Sequence, residues 1–224
     1  MASPKVVQRN ASRTRNRLLQ AAIRLFAARG YHGVSVDEVV AVARVNKRMV
    51  YHYFGSKQEL FRAALRQVYG RLETVEFHAV ERGSSPRERL TRLLESYFEF
   101  LDHNPEFTRL LQWENLEKGE HIRKRKEAVL TKNPFLERFR QIVEGGIESG
   151  EFRPDINIPH LLIHLIGLCF IYHSNRFSLS QGLNMDLGDP KVKAQALAQV
   201  LQFVFKGISS PPPAARPALA VGER

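Results

Sequence analysis

The stretch "SVDEVVAVARVNKRMVYHYFGSK", residues 35–57, decides the fold. Ser35 precedes Glu38 by three positions, the spacing of a capping box. The serine hydroxyl can accept from the Glu38 N–H while the Glu38 carboxylate reaches back to the Ser35 N–H. A helix is predicted over 36–43, with Val36, Val39, Val40 and Ala43 facing inward. Arg44-Val45-Asn46 makes a turn, and Asn46 can cap a second short helix over 47–53. Two short helices joined in this way form a helix-turn-helix. The second helix interleaves aromatic and cationic residues because two turns of helix must serve two surfaces. Val50 and Phe54, with help from Val45, hold it to its neighbours, and the opposite face is left to meet a polyanion in a major groove.

Side-chain reach assigns candidate roles. Lys47 and Arg48 stand at the N-terminal end of the second helix, where either cation can donate to guanine O6 and N7. Met49 can touch a thymine methyl. Tyr51 and His52 can each hydrogen-bond a phosphate or a base. Ser56 can cap a further helix running from Lys57 to about Val80. Its free amides, with the Lys57 ammonium, make one phosphate site. Ser35, Val36 and the amides opening the first helix make another. Together the two would straddle the groove and fix the register of the reading helix.

Working outward, Leu18, Leu19, Ala22, Ile23 and Phe26 recur at helical spacing over 13–29, and Gly30 follows as a stop. Residues 1–12 read as a flexible basic arm, and Arg9, Arg13, Arg15 and Arg17 in and beside it can touch the backbone or minor groove, with disorder and loose electrostatics as the equal alternative. Residues 1–70 hold thirteen Lys and Arg against three Asp and Glu, which is +10 of the chain's net +11. The first third therefore carries the attraction for an acidic partner, and the remainder is nearly neutral. Gly83-Ser84-Ser85-Pro86 breaks the chain. Helices are then predicted over 86–103, after Asn104-Pro105, after Asn133-Pro134 as far as Gly150, and over 158–177 and 190–207. Residues 209–224, rich in Pro and Ala, read as a disordered tail. No fixed-period repeat and no strand-like alternation interrupts this pattern, so the chain is predicted to be all-α.

Other chemistry is sparse. The single cysteine, Cys169, rules out an intramolecular disulfide and sits in an apolar run, as a buried thiol would. His160 and His164 are four apart on one helix face, but no Cys or carboxylate stands at a supporting spacing, so no metal and no cofactor is expected. Gly145-Gly146 lacks the preceding strand and following Lys-Ser/Thr of a phosphate loop. The run Arg123–Lys126 reads as a solvated face. No secretory leader opens the chain, and its longest apolar run, 161–172, is too short to span a bilayer, so a cytoplasmic protein without membrane partners is expected.

The segment "YHGVSVDEVVAVARVNKRMVYHYFGSKQELF" (31–61) resembles the N-terminal domain of TetR-type transcriptional regulators. Gly33, Ser35, Ala43, Val45, Lys47, Tyr51, Phe54, Ser56, Lys57, Glu59 and Leu60 carry the likeness. It implies that Tyr51 and Lys57 contact phosphate and that Lys47, Arg48 and His52 read bases. Two positions depart from the family pattern. Arg44 stands at the usual turn glycine, where φ > 0 would strain a side chain; either the turn has another geometry or the strain is tolerated and Arg44 contacts phosphate. His52-Tyr53 replaces the more usual Tyr-His. "HNPEFTRLLQWENLEKGEHI" (103–122) and "YHSNRFSLS" (172–180) resemble the C-terminal domain of one branch of these regulators. That likeness implies a helical ligand-binding and dimerisation domain, with the last two long helices forming a four-helix interface. The expected organisation is an arm (1–12), a three-helix DNA-binding domain (13–56), a helical regulatory domain (57–208) and a tail (209–224), about nine helices in all.

A short reading helix contacts few base pairs, so two copies on a palindrome are needed to sum their contacts. Leu161, Leu165, Leu168 and Phe170, with Val192, Leu197, Val200, Phe203 and Val204, are the candidate dimer face. Tyr97, Phe98, Phe100, Phe107, Trp113 and His164 are candidates for an effector pocket, although plain core packing explains each of them singly. The expected function is a homodimeric repressor of a palindromic operator, released by a small molecule. An activator or ligand-independent regulator is the alternative. An all-α enzyme with an anionic substrate is remote, since the chain offers no nucleophile–base pair.

Overall fold

Short polar caps set the helix starts, and apolar stripes set which faces meet. The computed structural model describes residues 4–73, 85–123 and 134–210. It contains α1 (Pro4–Arg29), α2 (Val36–Ala43), α3 (Arg48–Phe54), α4 (Lys57–Glu73), α5 (Pro86–His103), α6 (Pro105–Leu116), α7 (Glu120–Arg123), α8 (Pro134–Glu148), α9 (Ile158–Ser174), α10 (Arg176–Leu183) and α11 (Pro190–Ile208). Ser35 and Ser85 each close a full capping box, with Glu38 and Glu88 as the returning carboxylates. Asn157 and Asp189 cap α9 and α11, each followed within the first two positions by proline, whose missing N–H would be unpaired there in any case.

Several features differ from the sequence expectation. The helix predicted from residue 13 begins at Pro4, because residues 5–12 hold neither Gly nor Pro to stop it. The helix predicted over 158–177 ends at Ser174. Asn175 leaves helical geometry there (φ −106°, ψ 15°), and a separate helix, α10, starts at Arg176. The four-residue α7 had no periodic pattern to reveal it. Residues 74–80 of the predicted long helix, Lys124–Lys126 of the basic run and 211–224 of the tail lie outside the described residues. The tail's first residues are tied down: Ser209 pairs with Phe152, and the Ser210 N–H donates to the Glu151 carbonyl (3.1 Å).

One continuous core joins head and body. Leu18, Ile23 and Phe26 of α1 meet Val39, Val50 and Phe54 of the helix-turn-helix and Leu60 and Phe61 of α4. In the body, Leu90, Leu93, Leu94 and Leu101 of α5 meet Phe139, Ile142 and Val143 of α8 and Leu165 and Cys169 of α9. Full burial of each such Leu or Phe stabilises by about 1.5–3 kcal/mol. Burial also pushes the Cys169 thiol up to about 12, which keeps it protonated and unreactive. Gly146 has a packing reason: a Cβ there would stand 2.1 Å from the Phe152 ring.

Candidate nucleic-acid interface

The turn between α2 and α3 is left-handed. Arg44 has φ 53° and ψ 52°, which costs a non-glycine residue about 1–2 kcal/mol. Of the two expectations for this position, the strained turn is the one observed. Two sets of bonds hold it. The N–H of Arg44 donates to the Ala41 carbonyl (3.2 Å), and that of Val45 to the Val40 carbonyl (3.1 Å). From α1, the Arg17 guanidinium donates to the carbonyls of Ala43 and Arg44, so a cation staples the turn against the first helix. The Arg44 side chain itself is left exposed.

Helix α3 starts one residue later than the sequence suggested. Asn46 Oδ1 accepts from the Arg48 N–H (2.9 Å), and Lys47 precedes the helix without a side-chain cap of its own. Val50 and Phe54 are buried and Met49 and Tyr53 half-buried. Arg48, Tyr51 and His52 are exposed together, Tyr51 at 51%. Lys47 is exposed too, but its ammonium lies 2.9 Å from the Asp37 carboxylate, and that hydrogen bond raises its pKa. Such an exposed pair is weakly held and can exchange for a stronger anion.

The two candidate anion sites are more committed than their sequences suggested. Ser35 Oγ accepts from the Glu38 N–H (3.2 Å), and Glu38 accepts from the Ser35 N–H (2.7 Å). Arg29 donates to the same carboxylate (2.7 Å). The backbone bond from Ser35, then the Arg29 bond, hold the Glu38 carboxyl down to about 2. By helix geometry, the Val36 and Asp37 amides in the first turn have no carbonyl partner within the helix. At α4, Ser56 Oγ accepts from the Glu59 N–H (3.1 Å). The Lys57 ammonium lies over the Tyr31 ring, 4.4 Å from its centroid, and partial burial lowers its pKa. Tyr31 thus shapes the candidate interface without appearing among the sequence candidates, and Arg17, expected only as part of the basic arm, holds the turn. Neither carries a local signal, since each acts on a residue 26 positions away or more.

Two family models match the chain: "Bacterial regulatory proteins, tetR family" over residues 18–64, and "Tetracyclin repressor-like, C-terminal domain" over 86–204. The chain belongs to the TetR family. It is a helix-turn-helix DNA-binding transcription regulator. Among curated relatives it is 33% identical to the transcriptional repressor NicS of Pseudomonas putida over 198 residues, covering 88% of this chain and 93% of that one. It is 29% identical to the repressor SCO4008 of Streptomyces coelicolor over 164 residues, 71% of this chain and 78% of that one. Its fold is that of the ketosteroid regulator KstR2 of Mycobacterium tuberculosis (TM-score 0.65, 22% identity, 88% and 95% of the two chains). It is also that of FadR from Bacillus subtilis solved with stearoyl-CoA (TM-score 0.67, 21% identity, 86% and 98%).

The body of this TetR-family chain distributes the remaining candidates over three places. Tyr97, Phe98, Phe100 and Phe107 are buried, the last two edge-to-face at 5.1 Å. Trp113 sits where α6 meets the head: its Nε1 donates to the Ala27 carbonyl (3.3 Å) and its ring covers Gly30. His164 is exposed on α9, beside a groove lined by Leu161, Leu165, Leu168, Phe203 and Val204. On the candidate dimer face, Leu165, Val200 and Val204 are buried, Leu161, Leu168, Phe170, Val192 and Leu197 half-buried, and Phe203 is 69% exposed. Ile163 and Ile171 on α9 are exposed apolar residues that the sequence reading passed over. Among the described residues, no helix is long and apolar enough to cross a membrane.

Proposed function

We propose that this regulator is a cytoplasmic homodimeric repressor that binds a palindromic operator and is released by a small-molecule effector. The observation that carries the reading is the division of α3. Val50 and Phe54 lock the helix to the head, while Arg48, Tyr51 and His52 stand free on the surface at major-groove reach. In this reading Arg48 and His52, with Lys47 once it leaves Asp37, contact base edges, and Met49 meets a thymine methyl. Tyr51, Lys57, Arg44 and the amides after Ser35 hold phosphates. Exposed Ile163, Ile171 and Phe203 on α9 and α11 support a second copy as partner. Two relatives named repressors support repression. A FadR of the same fold, solved with stearoyl-CoA, supports an effector site in the body.

Selection of bound sites from random duplex DNA tests this. The expected result is an inverted repeat whose half-site centres lie about 34–36 Å apart, or a multiple of that. A single asymmetric site bound by a monomer would overturn it.

A further inference from the structure

The two lysines at the starts of α3 and α4 are held in different ways. Lys47 is ion-paired to Asp37, so an oxygen acceptor already occupies it. The Lys57 ammonium lies over the Tyr31 ring, 4.4 Å from its centroid, and among the described residues it makes no ion pair. The two carboxylates whose field reaches Lys57 are engaged elsewhere. Glu38 accepts from Arg29 (2.7 Å) and from the Ser35 N–H (2.7 Å). Glu117 stands 3.4 Å from His121 and 3.9 Å from His32. Both favour the charged ammonium without bonding to it. An aromatic face attracts a cation through its quadrupole and puts no oxygen acceptor on its N–H groups. Lys57 is thus anchored with its donors kept for an anion from outside the chain.

Tyr31 is itself clamped. Its ring meets Phe61 of α4 (centroids 5.3 Å apart) and His121 of α7 (4.9 Å). Phe61 in turn meets His121 (4.6 Å) and Phe26 of α1 (5.0 Å). His121 is buried, and Glu114 holds both its backbone N–H (2.7 Å) and its Nδ1 (3.1 Å). A side chain whose position is locked by packing places its own contact more closely than a free one does. The ring under Lys57 is locked from the head by Phe61 and from the body by His121.

We propose that Tyr31 is a positioning residue for DNA binding: its ring, clamped by Phe61 and His121, presents the Lys57 ammonium to a backbone phosphate at the start of α4. Tyr31 acts through Lys57, and the inference rests on the reading of Lys57 as a phosphate contact. His121 belongs to the α6–α7 corner of the body. The clamp therefore makes the head's hold on phosphate depend on where that corner sits.

The test is a double-mutant cycle on the full-length protein, read as affinity for a mixed-sequence DNA duplex. Tyr31→Leu keeps an apolar side chain but removes the ring face, and should weaken binding about two- to fivefold. Tyr31→Phe keeps the face and should bind as the parent does. In a Lys57→Ala background Tyr31→Leu should have no further effect, because the group it positions is gone. His121→Asn keeps a donor for Glu114 but removes the ring that braces Tyr31. It should weaken binding about twofold with Lys57 present and leave it unchanged in Lys57→Ala. Equal losses from Tyr31→Leu with and without Lys57 would mean that the ring only supports the fold, and would overturn the proposal. Unchanged affinity in Tyr31→Leu, or a loss in Tyr31→Phe, would overturn it too. A His121→Asn loss that persists without Lys57 would overturn the link to the body. Each of these results leaves the phosphate reading of Lys57 standing. That reading fails, and this proposal with it, only if Lys57→Ala by itself leaves affinity unchanged.

Discussion

Tyr51 and His52 on α3 stand in solvent, whereas Tyr31, Phe61 and His121 meet ring on ring where the head joins the body. The residue types are nearly the same, and the uses are opposite. On α3 the phenol and imidazole keep their polar atoms for something outside the chain. At the seam the His121 ring and the backbone beside it are already engaged by carboxylates. Glu114, 1% exposed, accepts from the backbone amides of His121 (2.7 Å) and Ile122 (2.9 Å), and lies 3.1 Å from His121 Nδ1. Glu117 adds a second carboxylate at 3.4 Å. Solvent access, and not residue type, separates a candidate reading surface from a joint.

The largest effect should come from breaking the joint. Glu114→Ala leaves the His121 and Ile122 amides without their acceptor and the His121 ring to the Glu117 carboxylate, and should destabilise the fold by about 3–5 kcal/mol in denaturant titration. Glu114→Gln, which keeps one acceptor oxygen, should lose less. A full-size loss with Gln would mean that the negative charge, not the acceptor, holds the joint.

Gly30→Ala should follow in size. The position has φ 69°, and a Cβ there would lie 2.8 Å from the Trp113 ring. Backbone strain and overpacking together predict about 2–4 kcal/mol. In a Trp113→Ala background only the backbone part should remain, so the two substitutions should fail to add.

The reading surface should respond in DNA binding with stability unchanged. Arg48→Ala should lower affinity for the selected site about 10- to 100-fold and relax preference at one position per half-site. Lys57→Ala should weaken all duplexes about equally and reduce the salt slope by about one ion. A change of sequence preference with Lys57→Ala would exchange the two roles.

The smallest effect concerns pH. The Glu38 carboxyl sits at about 2 against an ordinary 4.5, so its folded pKa is depressed. Its stabilising contribution is present above about pH 4.5 and is lost as pH falls from there toward 2. The acid limb of a stability–pH curve should therefore flatten in Glu38→Gln.

The head was legible because its decisive interactions are local. Ser35 and Glu38 are three residues apart, and Val50 and Phe54 are four, so backbone geometry alone brings each pair to one face. The start of α3 slipped by one residue because Asn46 reaches the Arg48 amide just as well as a cap further on. The body was legible in its helices and opaque in their use. His121, His164 and His173 have no sequence mark to separate a buried seam residue, an exposed groove residue and a cavity wall. The effector candidates were chosen as aromatics, and aromatics fill cores as readily as pockets.

By itself the sequence determined the all-α class, the helix-turn-helix, the concentration of positive charge at the DNA end and the chain's place in the TetR family, since caps, periodicity and charge act over a few residues. Only the tertiary structure decided that Arg44 adopts a left-handed turn held by Arg17, that Lys47 rests on Asp37 and Lys57 on Tyr31, and that Trp113 closes over Gly30. Those contacts join residues from 10 to more than 80 positions apart, and a side chain's partner at such distances is settled by how the helices pack.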